Sequence, residues 1–148
     1  LDIAFKTDIK PSFYIEQHFY LLSILKNLIT NAMESVSQRK NGLIALKIFR
    51  SGEFYTFKVT DNGKGIKPSD IEFIFNPGFS TKFDKDTGDI CRGVGLTLVK
   101  DLVEDVFLGN INVQTLRNSR TIFTVEIPVN SFCLNQAEYT EEIGSAFS

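Results

Sequence analysis

A single-domain α/β fold is predicted by three features of the sequence. Apolar residues recur at helical spacing from His18 to Arg39, and again from Val94 to Phe107. Between those runs lie two β-rich segments, Leu43 to Arg50 and Phe54 to Asp61, joined by the short turn Ser51-Gly52-Glu53. Two further strand-like segments, Ile111 to Leu116 and Thr121 to Pro128, follow the second helical run. A chain of 148 residues, 43% of them hydrophobic, can build one sizeable core and is too short for a second.

Taken in order, Leu1 to Ile9 mixes apolar and polar residues ahead of Pro11 and reads as a first or edge strand. The first helix is expected to stop at Asn41-Gly42, a C-terminal signal. The two segments after it should pair antiparallel. Pro68-Ser69-Asp70 offers the cap and first turn of a short helix to about Ile74, broken by Asn76-Pro77-Gly78. Ser80 to Arg92 is polar and reads as a mobile loop. In the second long helix Leu98, Leu102 and Val106 fall on one stripe, and Gly109-Asn110 ends it. Arg117-Asn118-Ser119-Arg120 turns between the last two strands. The domain is therefore expected to span residues 1–128. Residues 129–148, polar and partly acidic, are expected to be a tail or poorly ordered extension. The chain opens on Leu1 without a methionine and already in a strand-like pattern, as a fragment of a longer protein would.

Several function classes are disfavoured at once. A net charge of -2 and the lack of any basic run argue against nucleic-acid binding. Cys91 and Cys133 form no CxxC or Cys/His cluster, so neither a disulfide framework nor a zinc site is suggested, and a reducing, cytoplasmic setting is expected. No apolar run reaches the roughly 18 residues of a membrane span, which leaves room for a parent protein anchored elsewhere.

Three stretches carry chemistry. On a helical wheel centred on Asn27, the residues Ser23, Asn27, Thr30, Asn31 and Glu34 lie within about 60°. Leu25, Leu28, Ile29, Ala32 and Val36 lie opposite. Two asparagines one turn apart inside a helix are poor helix formers, and side-chain oxygens of this kind suit a hard cation such as Mg2+. A merely polar face is the plain alternative. Asp61-Asn62-Gly63-Lys64-Gly65-Ile66 follows a strand directly, so a carboxylate at the strand end could accept a hydrogen bond from an exocyclic amine beside a tight glycine turn. An ordinary turn would read the same way. A calcium loop would not, since no bidentate Glu follows and Lys64 sits within it. Gly93-Val94-Gly95-Leu96 opens the last long helix, where free N–H groups favour a phosphate, with Arg92 just ahead. Alone it is also a common helix start, and it matches neither a Walker A nor a Rossmann fingerprint.

In this order the stretches resemble the four boxes of the ATPase superfamily of gyrase, the Hsp90 chaperones, histidine kinases and MutL. Leu25 to Ala32 resembles the N box, Asp61 to Ile66 the G1 box, Phe73-Ile74-Phe75 with Phe79 the F box, and Arg92 to Leu96 the G2 box. The resemblance spans about Ser12 to Pro128. It implies a two-layer α/β sandwich of the Bergerat type, a mixed and mostly antiparallel sheet with helices on one face and a mobile lid at residues 76–92. It implies ATP and Mg2+ as cofactors, Asn31 as the metal ligand, and Asn27 as a phosphate-side or metal-shell partner. Asp61 would accept the adenine amino group, and Gly63 and Gly65 would let the backbone close on the base. Lys82 and Arg92 would meet the polyphosphate, the amides of Gly93, Val94, Gly95 and Leu96 would cradle it, and Ile66, Phe75 and Thr81 would also bind the nucleotide. Asn27, Lys82 and Arg92 are the implied catalytic groups.

Asn27 stands where gyrase-like and Hsp90-like enzymes carry a glutamate base, and an amide takes no proton from water, so fast hydrolysis is not expected. Asn27 and the F-box phenylalanines are similar to those of histidine kinases, and Phe79-Ser80-Thr81-Lys82 with Arg92 to Leu96 is especially similar to the citrate- and dicarboxylate-sensing kind. Many such kinases carry Lys three residues after the metal-binding Asn. Here that position is Glu34, which argues against a phosphate-contacting cation on this helix. His18, the only histidine, falls with the core residues on the wheel and reads as a packed or helix-start residue, not a phosphoacceptor. The acceptor histidine would lie on a separate dimerisation domain of the same parent, with a response regulator downstream. An anti-sigma-type serine kinase and an inactive nucleotide-binding adaptor are the competing readings.

Overall fold

The computed structural model describes residues 3–10, 17–77, 95–116 and 120–132. Within them five strands form one sheet, in the order β1-β2-β3-β5-β4. They are β1 (Ile3–Ile9), β2 (Gly42–Ser51), β3 (Phe54–Asp61), β4 (Asn110–Leu116) and β5 (Arg120–Pro128). β1 runs parallel to β2, because α1 (His18–Val36) carries the chain back between them. Every other pairing is antiparallel. The mixed, mostly antiparallel sheet matches the expected fold, and β1 is an edge strand as its composition suggests.

The helices cover one face of this sheet. Leu21, Ile24, Leu28, Ala32 and Val36 form the buried stripe of α1, one residue per turn. They meet Ile44, Leu46 and Ile48 of β2 and Phe57 and Val59 of β3 in one apolar cluster. Each such Leu, Ile, Val or Phe side chain, fully buried, contributes about 1.5–3 kcal/mol. Alternation along β2, β3 and β5 puts every second residue into that cluster, as a half-buried strand requires.

Four expectations need correction. α1 ends at Val36, not Arg39, because the Ser37 hydroxyl donates to the Glu34 carbonyl at 2.8 Å and diverts it from the helix ladder. His18 opens α1, as a helix-start residue, but is exposed with Phe19 and Tyr20 and does not lie with the core: the first turn of α1 lies beyond the core, so wheel position there does not decide burial. The segment after Pro68 is a series of turns. Asp70 N–H donates to Lys67 C=O, Phe73 N–H to Asp70 C=O and Asn76 N–H to Phe73 C=O, each closing three residues back without a helical ladder. Finally, Leu98 is 39% exposed, whereas Val99 and Val103 are fully buried. Leu102 is buried and Val106 packs against the core as predicted, but Val99 and Val103 replace Leu98 on the buried side of α2 (Gly95–Asp101), and the helix widens into a π-helical turn over Leu102–Val106. Leu108 ends it with φ 57°, while Gly109 N–H bonds the Val103 carbonyl at 2.8 Å.

Beyond Pro128 the chain makes a 3-10 turn over Val129–Ser131. Phe132, 2% exposed, then packs its ring against Tyr55, Phe57 and Phe107 at centroid distances of 5.1, 5.9 and 5.7 Å. The start of the expected tail thus contributes a core side chain. Residues 133–148 lie outside the described residues.

Candidate functional site

Asp61 is the last residue of β3 and is 2% exposed. Its Oδ1 accepts two hydrogen bonds, from the Gly63 N–H at 2.8 Å and from the Ser35 hydroxyl at 3.0 Å. The glycine is required by packing: a Cβ at Gly63 would collide with both the Ser35 hydroxyl and the Ser35 carbonyl. That carbonyl accepts from Lys64 N–H at 3.3 Å. Asn62 ties the same turn to β2, its Oδ1 accepting from Leu43 N–H and its Nδ2 donating to the Asn41 carbonyl, both at 2.8 Å. Gly65 takes φ 74°, a conformation that side chains disfavour. Ile66 N–H then donates to Thr115 Oγ1 at 3.1 Å, which itself donates to the Arg120 carbonyl at 3.2 Å.

Thr121 stands opposite Asp61 in the β3–β5 register. It is 2% exposed, and its hydroxyl has no hydrogen-bond partner among the described residues. Burying a hydroxyl without a partner is costly, so its retention suits a group that bonds something beyond the described residues.

The other end of the site is built on side chains. Asn27 Nδ2 donates to the Ser23 carbonyl at 2.7 Å, which fixes the amide. Its Oδ1 lies only 3.0 Å from where a Cβ on Gly95 would sit, so the oxygen faces the start of α2. Asn27, Asn31 and Ser35 follow one another at four-residue intervals on a single ridge of α1. From Asn27 to Ser35 that ridge spans about 12 Å, at 1.5 Å per residue. Both carboxylate oxygens of Glu34 are shielded from solvent, and the helix offers no cation at that position.

Phe75 joins the two layers. Its carbonyl accepts from the Thr97 hydroxyl at 2.8 Å, its ring meets Phe123 edge-on with centroids 6.4 Å apart, and Lys100 Nζ lies 5.8 Å above it. Ile74 beside it is buried, while Phe73 is 48% exposed.

Of the expected site residues, Asn27 and Gly95 face one another, with Leu96 following on α2 and Asn31 one turn further along α1. Asp61, Gly63, Gly65 and Ile66 form one hydrogen-bonded turn held on Ser35 and Thr115. Thr81, Lys82, Arg92, Gly93 and Val94 lie outside the described residues. Ser35, Thr115 and Thr121 are not singled out by sequence reasoning. Only Ser35 leaves a trace there, a small hydroxyl four residues after Asn31.

The described donors suit a hard cation that brings most of its own ligands. No group of three or more His, Cys, Asp or Glu that could hold a metal occurs among the described residues. Amide oxygens on the α1 ridge could supply one or two ligands, with phosphates and water supplying the rest. No described helix is long and apolar enough to cross a membrane.

Residues 17–131 match the family model described as histidine kinase-, DNA gyrase B- and HSP90-like ATPase. The chain is 38% identical over 108 residues to the sensor histidine kinase DcuS of Escherichia coli K12, covering 73% of this chain and 19% of that protein. It is 33% identical over 112 residues to the sensor histidine kinase GlnK of Bacillus subtilis, covering 75% of this chain and 26% of that one. It therefore spans about a quarter or less of the length of these relatives. The catalytic domain of the histidine kinase ThkA superposes with a TM-score of 0.71 at 26% identity, over 85% of this chain and 80% of that domain. The mycobacterial sensor histidine kinase MprB shares the fold, with a TM-score of 0.71 at 21% identity over 86% and 82% of the two chains. A glycine turn at the end of β3, an asparagine ridge on α1 and a family match over residues 17–131 converge: the chain belongs to the histidine kinase-, DNA gyrase B- and HSP90-like ATPase family, as a catalytic domain of the sensor histidine kinase type.

Proposed function

We propose that this chain holds Mg-ATP and transfers its γ-phosphoryl group to a histidine on a separate dimerisation domain of the parent protein, from which a response regulator takes it. The observation that carries this reading is the α1 ridge. Ser35 secures the Asp61 turn at one end, and Asn27 faces the start of α2 at the other. The interval between them suits an extended nucleoside triphosphate. Asp61 accepts the adenine amino group, with the Thr121 hydroxyl as a second polar group and Ile66 and Phe75 bordering the base. Asn31 is the metal ligand and Asn27 orients the phosphates.

Lys82, Arg92 and Thr81 meet the polyphosphate, and the amides of Gly93, Val94, Gly95 and Leu96 cradle it. When bound, Mg2+ offsets the negative charge on the phosphate oxygens. Phosphoryl transfer needs positioning and charge stabilisation more than covalent help from the protein. Asn27 cannot act as a base toward water, which suits transfer to an imidazole over hydrolysis.

The test is autophosphorylation of the longer parent protein. Acid-labile phosphohistidine that is lost with Asn31→Ala is expected. Acid-stable phosphoserine on a partner would favour a serine kinase, and full activity in Asn31→Ala would remove the metal role.

A further inference from the structure

We propose that Thr115 is a positioning residue of the base site: its hydroxyl sets where Ile66 stands relative to Asp61 and Thr121, and so how tightly the adenine is held. This rests on the reading of the Asp61 turn as the place of the base. Thr115 acts through Ile66. Its Oγ1 accepts from the Ile66 N–H at 3.1 Å and donates to the Arg120 carbonyl at 3.2 Å. A hydroxyl has one proton to give. Given to Arg120, it leaves only lone pairs toward Ile66, so the second bond fixes the direction of the first.

The register of the sheet gives this bond its leverage. Thr115 lies opposite Thr121 on β5, and Thr121 lies opposite Asp61 on β3. Paired residues share a face, so the three side chains form one row across three strands, about 10 Å long at about 4.8 Å per strand spacing. That face is the helix side, because Val113, two residues before Thr115, packs on the core. The turn leaves the row at Asp61 and rejoins it at Thr115 through Ile66. Between these two anchors stands Thr121, buried, its hydroxyl without a hydrogen-bond partner among the described residues.

The earlier bonds of the turn cannot place Ile66. The N–H groups of Asn62, Gly63 and Lys64 bond the Leu43 carbonyl, Asp61 Oδ1 and the Ser35 carbonyl, all on the side of β2, β3 and α1. Gly65 follows at φ 74°, and glycine takes either sign of φ readily, so those three bonds leave the direction of Ile66 open. The reach across to β4 closes it, with the Ile66 side chain half-buried against the core. Loss of the Thr115 hydroxyl frees Ile66 N–H, while β4 itself stays held by its pairing with β5.

The test joins amide exchange by NMR on the ligand-free 148-residue chain to calorimetric titration with ADP and with a non-hydrolysable ATP analogue. Thr115→Val keeps the branched shape that a strand favours and removes only the hydroxyl. It should speed exchange of the Ile66 N–H about tenfold or more with the β3–β5 ladder still protected, and weaken both nucleotides about fivefold, equally with and without Mg2+. Thr115→Ser should restore both. An Ile66 N–H still protected in Thr115→Val overturns the proposal, as does unchanged affinity beside a freed N–H. So does a loss that differs between the two nucleotides, depends on Mg2+ or persists in Thr115→Ser. Failure of the underlying reading looks different: an unmodified chain that protects the Ile66 N–H yet binds neither nucleotide removes the base site, and the proposal with it.

Discussion

The two ends of the nucleotide site proposed above, a base end at the Asp61 turn and a phosphate end at Asn27 and Asn31, are held by different means. At the base end a six-residue turn is fixed mostly through its backbone: Asn62, Gly63, Lys64 and Ile66 all have their N–H groups bonded to α1, β2, β4 or Asp61 itself. At the phosphate end the ridge of α1 presents amide side chains, and the orienting bond given to Asn27 runs to its own helix. The base end is thus preformed, whereas the phosphate end offers oxygens whose arrangement a cation and phosphates would complete. A rigid base site suits recognition that is the same in every nucleotide state. A phosphate site made of side-chain oxygens, with Asn27 fixed on Ser23, leaves a cation and phosphates to complete it.

Breaking the rigid end should have the largest effect. Gly63→Ala drives a methyl group into the Ser35 backbone, and urea denaturation should show a loss of about 3 kcal/mol. Asp61→Asn is subtler. The amide oxygen can still accept from Ser35 and Gly63, which turns an N–H toward the place where the carboxylate would accept. Folding should survive while ATP affinity by calorimetry falls about 100-fold. Ser35→Ala removes one of the two donors on Asp61 Oδ1 and should weaken nucleotide binding about fivefold, equivalent to about 1 kcal/mol. The smallest effect has the opposite sign and lies outside both ends. Leu108→Gly relieves a left-handed conformation at an exposed position and, after glycine's own entropic cost, should raise stability by about 0.5 kcal/mol, read as a higher melting temperature with unchanged affinity.

This contrast also explains what could be read from the sequence. The strands, both long helices and the order of the boxes were legible, because alternation, helical spacing and glycine turns are local signals. The Asn27–Asn31 face was legible because two asparagines inside a helix violate propensity. Ser35, Thr115 and Thr121 were not. Each matters through a partner 26 or more positions away, or, for Thr121, through a hydroxyl with no partner among the described residues. Nothing in their immediate neighbours signals that. The wheel misplaced Leu98 and His18 because it assumes an ideal helix that is covered along its whole length. The π-helical turn and the exposed first turn of α1 break those assumptions. Phe132 hid in a polar stretch, a single aromatic whose burial depends on three rings distant in sequence.

The most direct test of a preformed base end beside a cation-completed phosphate end is calorimetric titration with a non-hydrolysable ATP analogue, with and without Mg2+, on the unmodified chain, Asp61→Asn and Asn31→Ala. Asp61→Asn should lose affinity to the same degree in both conditions, and Asn31→Ala should lose it only when Mg2+ is present. Equal losses for Asn31→Ala with and without Mg2+, or a loss in Asp61→Asn that depends on the metal, would contradict the division of the site into these two ends.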